Sequence, residues 1–163
     1  MKLNMMLLGL LFAFGCAQKA VTATPNRSAE LKAISEAYYT AYNAEDIEGQ
    51  IKIMADDVIY HSNSDKIRTG TQAYRKYTEG LFKEIDEKCI DIKYFVDEAQ
   101  GVVTAQSRAE GKYVTSSDGL PKAKGQKYNI PVVEVFEIKS GKISKLTTYY
   151  NEDLWKTQIS KKQ

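Results

Sequence analysis

The chain has 163 residues, of which 43% are hydrophobic and 27% are charged, and its formal net charge at pH 7 is +2. This length corresponds to one domain of ordinary size with a packed core, preceded by a short leader. The lysines are dispersed and form no clustered basic face, so the sequence argues against nucleic acid as a partner.

The first fifteen residues have the pattern of a signal peptide. Lys2 supplies a short positive region, and the run from Leu3 to Phe14 is apolar except for Asn4. That run is shorter than the ~20 apolar residues that a membrane-spanning helix needs, but it suits the hydrophobic segment of a signal peptide. We therefore predict that residues 1–15 are a leader and not part of the fold.

The leader ends in Ala13-Phe14-Gly15-Cys16, and a small residue before a cysteine at this point resembles the lipobox of bacterial lipoproteins. The match to the usual pattern is imperfect, so an ordinary signal peptide cleaved nearby, after Ala20 or Ala23, is the alternative. We predict lipidation at Cys16, with residues 16–27 as a flexible tether. The domain would then be lipid-anchored in the bacterial cell envelope, facing the periplasm or the surface. Without the lipid it would be periplasmic or secreted.

The cysteine count agrees with this prediction. The chain has two cysteines, Cys16 and Cys89, so lipidation of the first leaves the second without an intramolecular disulfide partner. No basic or histidine-rich neighbourhood that would activate a thiolate surrounds Cys89 in the sequence. We predict that Cys89 is a small buried side chain at the head of a strand and not a nucleophile.

Helical spacing of apolar residues dominates the first half of the domain, which we place at residues 28–160. The pattern predicts a helix over Ser28–Asn43 with Ser28 as its N-cap, and a shorter helix capped by Asp46. A short strand, VIYH, follows and ends at His61. A third helix is predicted after Thr71.

The period changes to two after Glu87, which indicates strands. The predicted strands cover Cys89–Val96, Gly101–Val114 and two long segments between Tyr128 and Asn151, which are joined by a tight turn at Ser140-Gly141. Helices followed by a run of strands indicate an α+β fold with helices on one face of an antiparallel sheet. Because strands twist, such a sheet curves around the helices and encloses a conical hollow.

In the order and spacing of these pieces, the chain resembles the nuclear transport factor 2-like superfamily, SnoaL-like branch, over residues 29–159. The pieces that carry the resemblance are Tyr38 and Tyr42, the segment MADDVIYH at 54–61, Gly70, the Gly125 turn, Val132–Ile138, the turn at 140–143 and Tyr149-Tyr150-Asn151.

The resemblance implies a conical α+β barrel with a central pocket and homodimers formed through the outer face of the sheet. The superfamily includes cyclases, isomerases, epoxide hydrolases, dehydratases and members without known activity, so the fold does not settle the function. In SnoaL-like cyclases an acid/base aspartate commonly follows the aromatic pair of the last strand, where this chain has Asn151. The carboxylate that ketosteroid isomerases carry after the short strand is also missing, since Tyr60-His61-Ser62 occupies that place.

His61 is the only histidine, and its ordinary pKa near neutrality makes it the candidate acid/base group. A lone histidine without clustered cysteine or acidic partners does not indicate a metal site, and we predict no metal and no cofactor. Eleven tyrosines suggest an apolar pocket with polar tips. The predicted ligand-binding residues are Tyr38, Tyr42, Tyr60, His61, Gln106, Tyr149 and Asn151.

Glu134 interrupts an apolar strand face and has two interpretations. If that face is buried, the pKa of its carboxyl group is raised and Glu134 could act as a general acid or base. If the face is the outer one, Glu134 is a partly exposed residue or pairs across a dimer interface. Arg108 and Glu110 share a face of the neighbouring long strand, so a cross-strand pair involving Glu134 is the plainer explanation.

Two functions follow from these observations. The first is a lipid-anchored binding or accessory protein, homodimeric, whose tyrosine-lined pocket holds a small, mostly apolar molecule. The alternative is an acid/base enzyme of the isomerase, cyclase or hydrolase type, with His61 as base and the hydroxyl group of Tyr38 or Tyr42 as hydrogen-bond donor to a developing oxyanion.

Overall fold

The computed structural model describes residues 26–63 and 66–161. Its elements in chain order are α1 (Arg27–Asn43), α2 (Ile47–Lys52), β1 (Met54–His61), β2 (Ile67–Thr69), α3 (Thr71–Glu84), β3 (Ile85–Asp97), β4 (Val102–Tyr113), β5 (Gln126–Lys139), β6 (Lys142–Tyr150) and α4 (Glu152–Ser160). The predicted leader and the lipidation site at Cys16 lie outside the described residues.

All six strands form one sheet in the order β2-β1-β6-β5-β4-β3. Neighbouring strands are antiparallel, except that β1 lies parallel to β6. These two strands are far apart in the chain and no hairpin joins them, so no tight turn imposes the antiparallel direction. The predicted α+β fold is confirmed, with this one parallel pair as a difference.

The sheet curves where the pairing register of its strands shifts. The register of β3 against β4 shifts between Ile90 and Lys93, and Asp91 there has a φ of 54°. A bulge of this kind bends a strand and increases its twist. Helix α1 packs in the resulting hollow, where Tyr38 and Tyr39 contact the ring of Phe136 from β5.

Several element boundaries differ from the predicted ones, and strand β3, for example, begins at Ile85 and not at Cys89. Helix α1 begins one residue earlier, because Asn26 is its cap and accepts a hydrogen bond from the backbone N–H of Ser28. Strand β1 begins at Met54 and not at Val58. Asp56 and Asp57 are exposed residues of this strand, and helix α2 ends before them at Lys52.

The predicted turn between the last two strands is confirmed. Ser140 and Gly141 have φ angles of 50° and 74°, and two consecutive left-handed residues are typical of the two-residue hairpin turn that matches strand twist. No helix within residues 26–63 and 66–161 is long and apolar enough to cross a membrane.

Exposure alternates strictly along β4 and β5 and defines an inner and an outer face of the sheet. On β4, Ala105, Ser107 and Ala109 are buried, whereas Gln106 and Arg108 are exposed. On β5, every second residue from Tyr128 to Ile138 is buried. The outer face exposes Ile59, Phe95 and Tyr149, and homodimerisation through this face stays a prediction.

Candidate functional site

A cavity of about 370 Å³ lies between the inner face of the sheet and helices α1, α3 and α4. Most of its wall is aromatic. Seven of the eleven tyrosines line it, together with Trp155. These tyrosines are Tyr38, Tyr42, Tyr60, Tyr74, Tyr77, Tyr128 and Tyr150. The predicted tyrosine-lined hollow is therefore present, with a larger set of tyrosines than expected.

Glu134 projects from β5 into this cavity and is 5% exposed. Its Oε1 accepts hydrogen bonds from the hydroxyl groups of Tyr38 (3.4 Å) and Thr148 (3.2 Å). Its Oε2 makes no hydrogen bond of good geometry to a described residue, although the Tyr39 hydroxyl, which is unpaired as well, lies close enough to lower the pKa of the carboxyl group. Burial raises the pKa of the carboxyl group to about 7, and the nearby hydroxyl groups, Tyr39 and Thr148 first, limit the rise. Glu134 thus has the burial that its catalytic interpretation required.

A second glutamate, Glu87 on β3, borders the same cavity. The Tyr42 hydroxyl donates to Oε1 at 2.5 Å and the Tyr128 hydroxyl donates to Oε2 at 2.7 Å. Burial raises the pKa of Glu87, and these two hydrogen bonds oppose the rise. Both oxygens of Glu87 are therefore occupied by protein donors, which distinguishes it from Glu134.

A chain of hydroxyl groups connects Glu134 to the helices. The Tyr38 hydroxyl lies 3.4 Å from the Tyr74 hydroxyl, which donates to Oε1 of buried Gln50 at 2.8 Å. Burial raises the pKa of Tyr38 and of Tyr74, so both phenols are neutral hydrogen-bond donors at physiological pH.

Arg68 on β2 borders the cavity and is half-buried. Its guanidinium carbon lies 4.0 Å from the ring centroid of Tyr77 and 5.7 Å from that of Tyr60. One nitrogen donates to the hydroxyl of Ser62 at 3.2 Å. Lys66, which is exposed, lines the same part of the wall.

Three of the predicted ligand-binding residues, Tyr38, Tyr42 and Tyr60, line the cavity. His61 does not lie in the cavity, where it was predicted to be. Tyr60 is buried and points inward, and because successive strand residues face opposite sides, the half-buried His61 lies on the other face of β1 and does not line the cavity.

Gln106, Tyr149 and Asn151 are also outside the cavity. Gln106 is exposed on the outer face of β4, and Tyr149 is 54% exposed, whereas its neighbour Tyr150 lines the wall. Asn151 is exposed and serves as the N-cap of α4, where its Oδ1 accepts a hydrogen bond from the backbone N–H of Leu154 at 2.9 Å. His61 and Asn151 therefore do not meet a tyrosine hydroxyl in this cavity.

The alternative explanation of Glu134, a cross-strand pair with Arg108, is wrong. Arg108 lies on the outer face and donates to Oδ1 of Asn129 at 2.6 Å. Cys89 is buried as predicted and borders the cavity. Burial raises the pKa of its thiol, which disfavours the thiolate that a nucleophile needs.

Glu87 was not among the predicted site residues, although the sequence carries a signal for it. Glu87 alternates with Ile85 and Cys89, which are both buried on one face of β3. Glu134 likewise alternates with Val132 and Phe136. A glutamate two residues from an apolar neighbour on each side is thus the pattern that marks both cavity carboxyl groups. Within the described ranges, no three His, Cys, Asp or Glu side chains are grouped to hold a metal ion.

Comparison with known proteins identifies relatives of this arrangement. The sequence pattern described as a SnoaL-like domain matches residues 35–146. The structure resembles a candidate polyketide cyclase from Xanthomonas campestris pv. campestris, with a TM-score of 0.80 and 29% identity over 83% of this chain and 100% of that one. A second candidate polyketide cyclase, from Pseudomonas putida KT2440, has a TM-score of 0.77 and 29% identity over 80% of this chain and 98% of that one.

An epoxide hydrolase from M. tuberculosis shares the fold, with a TM-score of 0.64 and 17% identity over 82% of this chain and 92% of that one. A search among curated proteins found no match.

Proposed function

The chain belongs to the SnoaL-like domain family, and we propose that its cavity binds a small, mostly apolar molecule that carries one or more oxygen atoms. The observation that carries this proposal is the buried carboxyl group of Glu134 in the wall of a largely aromatic cavity. A polar group in such a wall is a hydrogen-bond partner for an oxygen or hydroxyl group of a ligand and fixes the ligand's orientation.

The chemistry of the wall defines the ligand further. A volume of about 370 Å³ is at the lower end of the ~300–1,000 Å³ range of small-molecule pockets. Tyrosine rings and Trp155 supply apolar contact area, and the hydroxyl groups of Tyr38 and Thr148 supply hydrogen bonds beside Glu134. A compact cyclic or aromatic molecule with an oxygen at one end fits this distribution.

Mass spectrometry of small molecules that the purified protein retains tests the binding proposal. A cavity-filling variant, Ala109→Phe, should retain less of any such molecule, because Ala109 is a buried residue of the cavity wall. Gln106→Phe is the matched control, since it adds the same side chain to the outer face of the same strand. Equal retention by both variants would contradict a ligand in this cavity.

A second candidate function is acid/base catalysis by Glu134 in place of His61. The specific observation in its favour is the Glu134 pKa of about 7, because a general base is most effective when its pKa is close to the working pH. In this candidate, the Glu134 carboxylate removes a proton from a carbon next to a ligand carbonyl group. The Tyr38 hydroxyl stabilises the resulting enolate oxygen by a hydrogen bond. The protonated Glu134 then returns the proton to carbon and completes an isomerisation or exchange.

Proton exchange in D₂O tests this candidate without knowledge of the natural substrate. A cyclic ketone such as 2-tetralone should gain deuterium next to its carbonyl group faster with the protein than with buffer alone. Glu134→Gln should abolish the acceleration, and Glu110→Gln, which changes an exposed carboxylate on β4, should preserve it. A wild-type exchange rate equal to that of buffer would contradict the enzymatic candidate and leave the binding proposal intact.

A further inference from the structure

Arg68 is a cation at the cavity wall without an anionic partner in the part of the chain that the structure describes. The ion pairs found there join other residues. Its hydrogen bonds go to the Ser62 hydroxyl and, at 3.5 Å, to the backbone carbonyl of Lys66, and both use the same nitrogen, Nη1. The remaining guanidinium N–H groups make no hydrogen bond to a described residue.

Stacking on aromatic rings orients this guanidinium. Arg68 lies against the face of Tyr77 at 4.0 Å, a distance typical of a cation–π contact. A guanidinium that is fixed in this way presents its free edge as a planar fork, which matches the two oxygens of a carboxylate better than a lysine does. Burial of half the side chain also reduces the screening of its charge by water.

From this geometry we propose that the ligand is an anion, with an apolar body in the tyrosine-lined cavity and a carboxylate or a similar oxyanion bound by Arg68. This inference rests on the binding function proposed above and defines its ligand class. Lys66 adds a second positive charge on the same side of the cavity. Two further glutamates border the cavity: Glu152, which forms an ion pair with Lys156 at 2.7 Å, and Glu84 at the end of α3.

The two glutamates of the inner wall do not prevent an anion from binding. Burial raises the pKa of both carboxyl groups, and at the Glu134 value of about 7 the negative charge of Glu134 is reduced at neutral pH. The charge of Glu87 is in addition stabilised by two tyrosine hydroxyl groups. The wall therefore has its cations at the β2 side and its two buried carboxyl groups, both with a raised pKa, at its inner side.

A matched pair of fluorescent probes tests this inference. 8-Anilinonaphthalene-1-sulfonate and N-phenyl-1-naphthylamine share one aromatic body and differ in the sulfonate group. Titration of the full-length protein with each probe gives two dissociation constants. Arg68→Gln should weaken binding of the anionic probe by about 10-fold or more, as expected for the loss of a charged hydrogen bond, and leave the neutral probe within about 2-fold of wild type.

Arg75→Gln is the control, since it removes an arginine that pairs with Glu48 away from the cavity. It should change neither dissociation constant. Ala109→Phe should weaken both probes, because both require the cavity. If Arg68→Gln does not fold, Arg68→Lys keeps the charge without the planar fork and should weaken the anionic probe alone.

The outcomes separate the two proposals. An unchanged ratio of the two dissociation constants in the Arg68 variants would overturn the anion inference, while binding in the cavity would stand. Failure of Ala109→Phe to weaken the neutral probe would overturn the binding function itself. Salt provides a check without any mutation: it should weaken the anionic probe in the wild-type protein and not the neutral one.

Discussion

The Tyr38 hydroxyl lies 3.4 Å from Oε1 of Glu134, although the two residues are 96 positions apart in the chain. Tyr38 comes from the first helix and Glu134 from the centre of the curved sheet, so this contact exists only because the sheet wraps around the helix. The same wrapping removes the carboxyl group from water and raises its pKa to about 7. Fold and candidate chemistry are thus linked through one buried side chain.

The Glu134 pKa predicts a specific dependence of stability on pH. The folded protein holds a proton on Glu134 up to about pH 7, whereas the unfolded chain releases it near pH 4.5. Because the folded state binds more protons in this interval, the free energy of unfolding falls as the pH rises through it. The 2.5-unit difference corresponds to a loss of about 3 kcal/mol. Urea denaturation of wild type and Glu134→Gln at several pH values between about 4 and 8 measures this loss.

The Glu134→Gln variant lacks the titrating carboxyl group, so its free energy of unfolding should not show this fall with pH. The stability of the variant relative to wild type should therefore increase as the pH rises. Glu110→Gln, on the outer face of β4, should give a profile parallel to that of wild type. Parallel profiles for wild type and Glu134→Gln would show that the Glu134 carboxyl group is not perturbed by burial.

Asn151 provides a second prediction, because the structure assigns it a structural role and not a place in the cavity. Asn151→Ala should lower the free energy of unfolding by about 1 kcal/mol through loss of the helix cap, and Asn151→Asp should retain the cap. Both variants should bind N-phenyl-1-naphthylamine as wild type does. A change in probe affinity without a change in stability would instead place Asn151 at the binding site.

The fold could be predicted from periodicity, and so could part of the site. Tyr38 and Tyr42 are four residues apart on a helix, so they share one face and reach the same cavity. On strands the same reasoning is less secure, because a shift of one residue exchanges the two faces. For this reason His61 and Tyr149 were expected in the cavity, whereas Glu134 and Tyr150 line it. Sequence alone does not show which face of each strand is concave.

Glu87 illustrates a different limit. Its role depends on Tyr128, which is 41 residues later and reaches it across the intervening strand β4. The pairing register that places them together is a property of the assembled sheet. Local patterns indicate that Glu87 faces a buried layer, but they do not identify its hydrogen-bond donors.

Cys16 carries a prediction about location. If the lipobox functions, the wild-type protein should fractionate with membranes and carry a lipid adduct detectable by mass spectrometry. A cysteine that carries more than one acyl chain holds a protein stably at the membrane. Cys16→Ser should lose the adduct and be recovered in the soluble fraction. Cys89→Ser is the control and should stay with the membranes, since Cys89 is buried in the domain. Unchanged fractionation of Cys16→Ser would count against lipidation.

Gly111 carries the last prediction. It lies on β4 between Glu87 and Tyr128 in the pairing register. A Cβ atom at this position would be 2.5 Å from Cβ of Glu87, 2.7 Å from the carbonyl oxygen of Asp86 and 2.8 Å from the Tyr128 hydroxyl. The absence of a side chain therefore allows the Tyr128 hydroxyl to reach Glu87.

Gly111→Ala should separate these groups and lower the free energy of unfolding by about 1–3 kcal/mol, as overpacking of a buried site does. It should also weaken binding of the neutral naphthylamine probe, because Glu87 and Tyr128 both line the cavity. Gly80→Ala is the matched control: a Cβ there meets nothing within 4 Å on helix α3, so the substitution should raise stability by about 0.5–1 kcal/mol. Urea denaturation of both variants decides the matter, and a Gly111→Ala protein as stable as wild type would mean that β4 does not need glycine to admit the Tyr128–Glu87 hydrogen bond.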